Sequence, residues 1–348
     1  MSPSHALSIA HVPAATFGSQ SVAWREQALV CATFANDMPS DEAANAPIIR
    51  VNTPMVGQPA GLLEVWRTVS TISSGQQGSV RYSCNGDLLF GHVELYEDDF
   101  AAAYAQDGGA TPLQRATKEA YQQIFGVLDE LNYPYLLRIW NYFPDINKES
   151  HGLERYRQFN IGRQEGFAAC DRSVTDNIPA ACALGTGGGQ LTIYFIAGHI
   201  QPLAIENPRQ ISAYHYPPDY GPRSPTFSRA SLGRVGKQEV LFISGTASII
   251  GHRSIHIGDV VAQTKETLSN IAAVVDEANR VVAEPRYNMQ SMSYKVYLRH
   301  PEHIDVIRGE LQKALGPEVN AIYLQADICR HDLMVEIEAL AGIPTETI

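Results

Sequence analysis

The feature that most constrains this chain is an internal repeat of β-α-β-α-β type. In the second half, Val240 to Ala247 reads as a strand and Ile257 to Ala278 as a helix opened by Asp259 and carrying Val260, Thr264, Leu268, Ile271 and Val275. A strand at Met292 to Leu298, a helix at Pro301 to Leu315 and strands at Ala321 to Ala326 and Leu333 to Ala341 follow. The first half has the same order: a strand at Leu88 to Tyr96 and an amphipathic helix at Pro112 to Asn132, with Ala116, Ala120, Ile124, Val127, Leu128 and Leu131 near helical spacing. A strand at Tyr135 to Tyr142, a helix near Leu153 to Cys170 and a strand at Gln190 to Gly198 complete it. The closing strands match residue by residue, since LTIYFIAG (Leu191 to Gly198) and VEIEALAG (Val335 to Gly342) both end in Ala-Gly. Such self-similarity predicts a duplicated α+β fold with two tandem units packed side by side. The expected divisions are an N-terminal extension at 1–80, a first unit at 81–205, a connecting segment at 206–235 and a second unit at 236–348.

Charge and composition narrow the function. With 37 Asp and Glu against 26 Lys and Arg, the formal charge of −11 argues against nucleic acid or an anionic membrane as partner. The 45% hydrophobic content is that of an ordinary folded chain. No apolar run reaches the roughly 18 residues a membrane span needs, and Met1 to Gln20 lacks the pattern of a secretory leader. Cys31, Cys84, Cys170, Cys182 and Cys329 are odd in number and scattered, so a cytoplasmic location is expected.

Candidate chemistry concentrates at four places. On the last strand, Val335, Ile337 and Ala339 alternate with Glu336 and Glu338, so the two carboxylates share the face opposite the apolar set, which is either a pocket wall or a solvated outer face. Their counterparts in the first half are Thr192 and Tyr194, which confines the carboxylates to one of the two units. The segment ERYRQFNIGR puts Arg155, Arg157 and Arg163 on one helix, with Arg155 and Arg163 within about 80° of each other. Such a cluster suits a dicarboxylic substrate, against the alternative of a solvated basic face. RIWNYFPDIN brings Arg138, Asn141 and Tyr142 to a strand end. The proline-rich stretch Asn207 to Arg229 carries Arg209, Tyr214, Tyr216 and Arg223, and a loop of that length is commonly functional or a linker.

Other signals are weaker. GTGGGQ (Gly185 to Gln190) misses the spacing of a dinucleotide loop and reads as a glycine-rich turn. His252 and His256 lack an acidic co-ligand, and His92-Val-Glu94 lacks the Cys pair a deaminase zinc site requires, so no metal is expected. Cys329 with His331 reads as a small thiol lining a pocket rather than a nucleophile and its base.

From Phe242-Ile-Ser-Gly-Thr to Val335-Glu-Ile-Glu-Ala, the second half resembles the YjgF/Rid fold, a curved sheet with two helices on one face. The arginine that precedes the closing hairpin in Rid imine deaminases falls at Ala321, which weakens that chemistry here. From about residue 80 the chain, through RIWNYFPDIN, ERYRQFNIGR and NPRQISAYHYPPDYGPRSP, resembles the chorismatases, which carry two such units in one chain. That resemblance implies chorismate as substrate, pyruvate as one product, no metal or organic cofactor, and Glu336 as catalytic acid. A cysteine seven residues before the glutamate marks the hydroxybenzoate-forming type, and Cys329 holds that place; Ala247 falls at a second discriminating position. The expected products are pyruvate and 3-hydroxybenzoate, with 4-hydroxybenzoate as a further product and a dihydroxycyclohexadiene carboxylate as the hydrolytic alternative. The rival from another class is a non-catalytic binding protein for a small carboxylate. Either a monomer or a homotrimer is compatible with two fused units.

Protonating the methylene carbon of an enol ether needs a carboxylic acid that is neutral near pH 7. A glutamate in a dry pocket beside an anion meets that need, because desolvation and like charge both raise its pKa.

Overall fold

The computed structural model describes residues 7–34, 46–57 and 61–348; Met1 to Ala6, within the stretch expected to carry no leader, lie outside them. Two six-stranded sheets have the same strand order. The first runs Ala180–Thr186, Tyr135–Pro144, Leu191–Gly198, Leu88–Leu95, Val80–Cys84, Ser73–Gln77. The second runs Asn320–Gln325, Ser293–Leu298, Val335–Ala341, Gln238–Thr246, Ala230–Val235, Leu203–Ile205. In each, the closing strand lies antiparallel between two strands that precede it in sequence. The duplication is therefore a duplication of topology.

Each sheet has two helices on one face. Pro112–Glu130 starts at Thr111, whose hydroxyl accepts from the Gln114 amide at 3.3 Å, and Val260–Val281 starts at Asp259, which accepts from Ala262 at 3.0 Å. The apolar stripe read from the sequence is the buried one: Ala116, Ala120, Ile124, Val127 and Leu128 are all inside. Arg155–Ala169 packs on Pro112–Glu130 so closely that a Cβ at Gly162 would run into the Gln114 carbonyl.

The opposite faces of both sheets meet in a shared core with a third sheet, in the order Thr345–Thr347, Ser8–Pro13, Leu62–Arg67, Ala28–Thr33, Ile48–Arg50. That core joins Trp66 and Phe34 of the third sheet and its flank to Phe90, Trp140 and Tyr194 of the first and Phe242, Tyr297 and Leu324 of the second. No helix among the described residues is long and apolar enough to cross a membrane.

Candidate active site

Alternation along Val335–Ala341 decides where the two carboxylates point. Val335, Ile337 and Ala339 pack with Leu268, Ile271 and Val275 of the helix layer. Glu336 and Glu338 consequently face the core shared by the sheets, and both are buried. Glu336 forms part of the wall of a cavity of about 410 Å³. The second repeat supplies Gly245, Ala247, the loop Cys329 to Asp332 and Glu336. The N-terminal end of helix Arg155–Ala169 adds Tyr156 and Arg157, and the connecting segment adds Tyr216, Tyr220, Phe227 and Arg229.

A bulge seats the carboxyl group. Pairing between Gln238–Thr246 and Val335–Ala341 slips between Ile243 and Thr246, and Gly245 lies in that slip with the Glu336 carboxyl against it. A Cβ there would overlap Glu336 Oε1. Ser244, inside the bulge, accepts from the Ala181 amide at 2.9 Å and donates to the Ser228 carbonyl at 2.6 Å, while Thr246 Oγ1 donates to the Ser244 carbonyl at 2.8 Å. The bulge is thus tied to the first repeat, as expected of a device that aims a side chain.

Burial, reinforced by the Glu338 carboxylate and opposed by Arg138, pushes the Glu336 carboxyl up to about 8. Glu338 belongs to a buried ionic network. Arg138 bonds to it, Trp140 Nε1 donates to it at 2.9 Å, and Lys295 Nζ lies 3.4 Å away. Lys295 also meets Glu64 at 3.2 Å, and Glu64 faces His11 at 3.6 Å. Burial opposes ionisation of Glu64, but Lys295 and His11 outweigh it and hold the carboxyl down at about 2. Two adjacent glutamates on one strand face therefore have different jobs: Glu338 is ion-paired, and Glu336 keeps its proton. Cys329 lines the same cavity; burial, with Glu336 adding to it, pushes its thiol up to about 12.

Of the residues singled out from the sequence, Glu336, Cys329, His331, Arg157, Tyr216 and Ala247 meet in this cavity. Arg155, Arg163, Tyr142 and Tyr214 do not line it. Arg155 turns to Glu97, with Nη1 2.9 Å from its carboxylate, and Nε donates to the Pro144 carbonyl at 3.0 Å. Arg163 is 1% exposed and donates to Asn160 Oδ1 at 2.8 Å. Tyr142 is in the shared core, its hydroxyl 2.7 Å from that of Tyr297, and Tyr214 stacks edge-on against His215. Helical spacing puts three arginines on one helix, but neighbouring elements turn two of them away, and Arg157 stays at the cavity wall with its Nε 3.1 Å from the Glu154 carboxylate and Nη2 donating to the Asp219 carbonyl at 3.3 Å. Arg209 is likewise taken by Glu266 and Asn270.

Arg229 and Arg330 line the cavity, and sequence reasoning misses both as site residues. Arg229 is 5% exposed, donates to the Ile211 carbonyl at 2.8 Å and Tyr216 Oη at 2.9 Å, and its buried Nε has no partner. Arg330 donates to the His252 carbonyl at 2.9 Å and lies 4.2 Å from the Tyr220 ring centroid. Each adjoins a noted feature, Arg229 at the end of the proline-rich stretch and Arg330 next to Cys329. With Arg157 and Arg253 they make four arginines in the wall of the cavity that Glu336 also lines.

The chain is similar to known proteins over most of its length. Residues 64–197 match the model of the family described as chorismatase FkbO/Hyg5-like, N-terminal. A 3-hydroxybenzoate synthase from Streptomyces hygroscopicus is 36% identical over 80% of this chain and 80% of its own length. A chorismatase from Streptomyces rapamycinicus is 38% identical over 80% of this chain and 82% of its own. The crystal structure of a chorismatase superposes with a TM-score of 0.82 at 31% identity, covering 96% of this chain and 98% of that one. The chain belongs to the chorismatase family.

Proposed function

We propose that this chain converts chorismate to pyruvate and 3-hydroxybenzoate, with Glu336 as the acid that starts the reaction. The observation that carries the reading is the Glu336 carboxyl, buried at the cavity wall and pushed up to about 8, so that it holds a proton at neutral pH. Chorismate brings two carboxylates and an enol ether. Arg157, Arg229 and Arg330 offer guanidinium partners for the carboxylates. Glu336 gives its proton to the methylene carbon, and the ether becomes an oxocarbenium ion that leaves as pyruvate when the ring C–O bond breaks. The adjacent ring hydroxyl closes on the vacated carbon, and the proton it releases restores Glu336. The resulting ring oxide opens and loses the ring proton, which re-forms the hydroxyl, to give 3-hydroxybenzoate. One chorismate becomes one pyruvate and one hydroxybenzoate with no net water.

Cys329 and Ala247 support this outcome over hydrolysis. The un-ionised thiol and the methyl group line the cavity without offering a base to activate water. The test is turnover of chorismate in water enriched in ¹⁸O, with the products separated. The reading expects pyruvate and 3-hydroxybenzoate whose phenolic oxygen carries no label. Dihydroxycyclohexadiene carboxylate as the ring product, with or without label, would make the enzyme a hydrolase, and absence of pyruvate would reject the activity.

A further inference from the structure

We propose that Tyr156 is a further catalytic residue, a neutral phenol that donates a hydrogen bond to the ether oxygen as it leaves with pyruvate, and that Asn160 and Arg163 position it from behind. The inference rests on the catalytic reading above. Tyr156, Asn160 and Arg163 stand at i, i+4 and i+7 on helix Arg155–Ala169 and so share one face. Tyr156 lies in the cavity wall, and Asn160 and Arg163 are buried behind it.

Arg163 is a buried cation without an anion. Among the described residues no carboxylate pairs with it, and its guanidinium lies against the Phe159 ring, 5.1 Å from the centroid. Withdrawing such a charge from water is unfavourable for the fold, and because a guanidinium has only donors, its hydrogen bonds set the direction of those that follow. Nη2 donates to Asn160 Oδ1 at 2.8 Å, which fixes the amide and turns Asn160 Nδ2, buried without another partner, towards the Tyr156 phenol. An amide nitrogen only donates, so the phenol oxygen accepts and its own proton is left for the cavity. The order repeats on the other side of Arg163. The guanidinium faces the Tyr121 hydroxyl, which donates to Asn141 Oδ1 at 2.8 Å, and Asn141 Nδ2 donates to the Cys182 carbonyl at 2.7 Å. Cys182 packs against Gly245, in the bulge that seats Glu336. One cation thus ties the phenol and the seat of the acid into a single buried network.

Burial, with Cys329 and Glu336 adding to it, pushes the Tyr156 hydroxyl up against the opposing pull of Arg163 and Asn160, so at neutral pH it is a donor standing near the acid. Once Glu336 has protonated the methylene carbon, the ring C–O bond breaks and its electron pair goes to the ether oxygen, which becomes the carbonyl oxygen of pyruvate. A hydrogen bond from Tyr156 strengthens as that oxygen gains electron density, which lowers this barrier, and the phenol keeps its proton throughout.

The test is turnover in deuterium oxide, with pyruvate measured and unreacted chorismate recovered for mass spectrometry. When cleavage is slowed, the protonated intermediate returns a methyl proton to Glu336 before it goes forward, and recovered chorismate gains deuterium at the enolpyruvyl methylene. Tyr156→Phe is expected to lower kcat about tenfold or more with KM within about threefold, and to raise the deuterium recovered per pyruvate formed by about tenfold or more over wild type. Asn160→Asp pairs with Arg163 but accepts the phenol proton, so it should produce the same two changes without lowering the melting temperature; an unchanged ratio there overturns the positioning role. A packing defect would slow protonation and cleavage alike and leave the ratio where it was. An active wild type with an unchanged ratio in folded Tyr156→Phe overturns the inference and leaves the catalytic reading standing, whereas a wild type that forms no pyruvate overturns both.

Discussion

Replacing Glu338 by Gln tests how the acid is tuned, because it removes a charge while keeping the shape of the network. Glu336 and Glu338 are two residues apart on one strand face, about 7 Å in backbone rise. At an effective dielectric constant of about 20, two unit charges at that distance interact by about 2 kcal/mol, or roughly 1.5 pH units. The amide carbonyl introduced at this position can still accept from Trp140, and Arg138 and Lys295 remain nearby to draw the Glu336 pKa down. The basic limb of kcat is therefore expected to move from near 8 in the wild type to about 6.5 in the variant. At pH 7 the protonated fraction falls from about nine-tenths to about a quarter, so kcat drops roughly fourfold and recovers by pH 5.5. The variant leaves Arg138 short of an anion, at a cost of up to about 3 kcal/mol, so melting is followed alongside turnover. A purely structural role would lower the rate at every pH. A folded variant whose limb stays near 8 would refute the electrostatic argument and leave burial as the sole cause.

Other expectations follow from the same geometry. Glu336 binds its proton more tightly folded, at about 8, than unfolded, near 4.5. Its contribution to stability is thus fully present below about 4.5 and is lost as pH rises through 8, with a slope of up to about 1.4 kcal/mol per pH unit. Denaturant titrations between pH 5 and 9 should show this component in the wild type and its absence in Glu336→Gln, which should also bind chorismate without turning it over. Gly245→Ala should lower kcat at least tenfold by displacing the carboxyl; in a Glu336→Asp background, whose shorter side chain leaves room for the methyl, the same substitution should cost little, and an additive cycle would contradict the seating argument. Arg229→Leu should raise KM by about 30-fold to 160-fold, the loss of one charged pair worth about 2–3 kcal/mol, with kcat nearly unchanged; an unaltered KM would move the carboxylate elsewhere.

Local rules make much of this legible. Thr111 and Asp259 cap helices where capping residues should, and the matched closing strands point to the duplication and put Glu336 and Glu338 on one face, while burial of that face is set by the sheets packed against it. Less visible are elements without local contrast. Ala180–Thr186 (AACALGT) is buried along its whole length and shows no alternation, and Ala28–Thr33 is buried throughout as well; neither stands out as a strand in the sequence. The third sheet joins Ser8–Pro13 to Thr345–Thr347 at opposite ends of the chain, a pairing no window of sequence contains. The arginines show the same limit. Helical spacing says which side chains share a face, but Glu97 and Asn160 decide that Arg155 and Arg163 turn away from the cavity. Arg229 and Arg330 reach it from two loops that only the tertiary fold brings together.

The most direct measurement is infrared difference spectroscopy of the resting enzyme between pH 6 and 10, comparing wild type with Glu336→Gln. The account predicts a protonated-carboxyl carbonyl band at pH 7 that is absent from the variant and disappears in the wild type with a midpoint near 8. A wild-type spectrum at pH 7 that shows Glu336 only as carboxylate would contradict it.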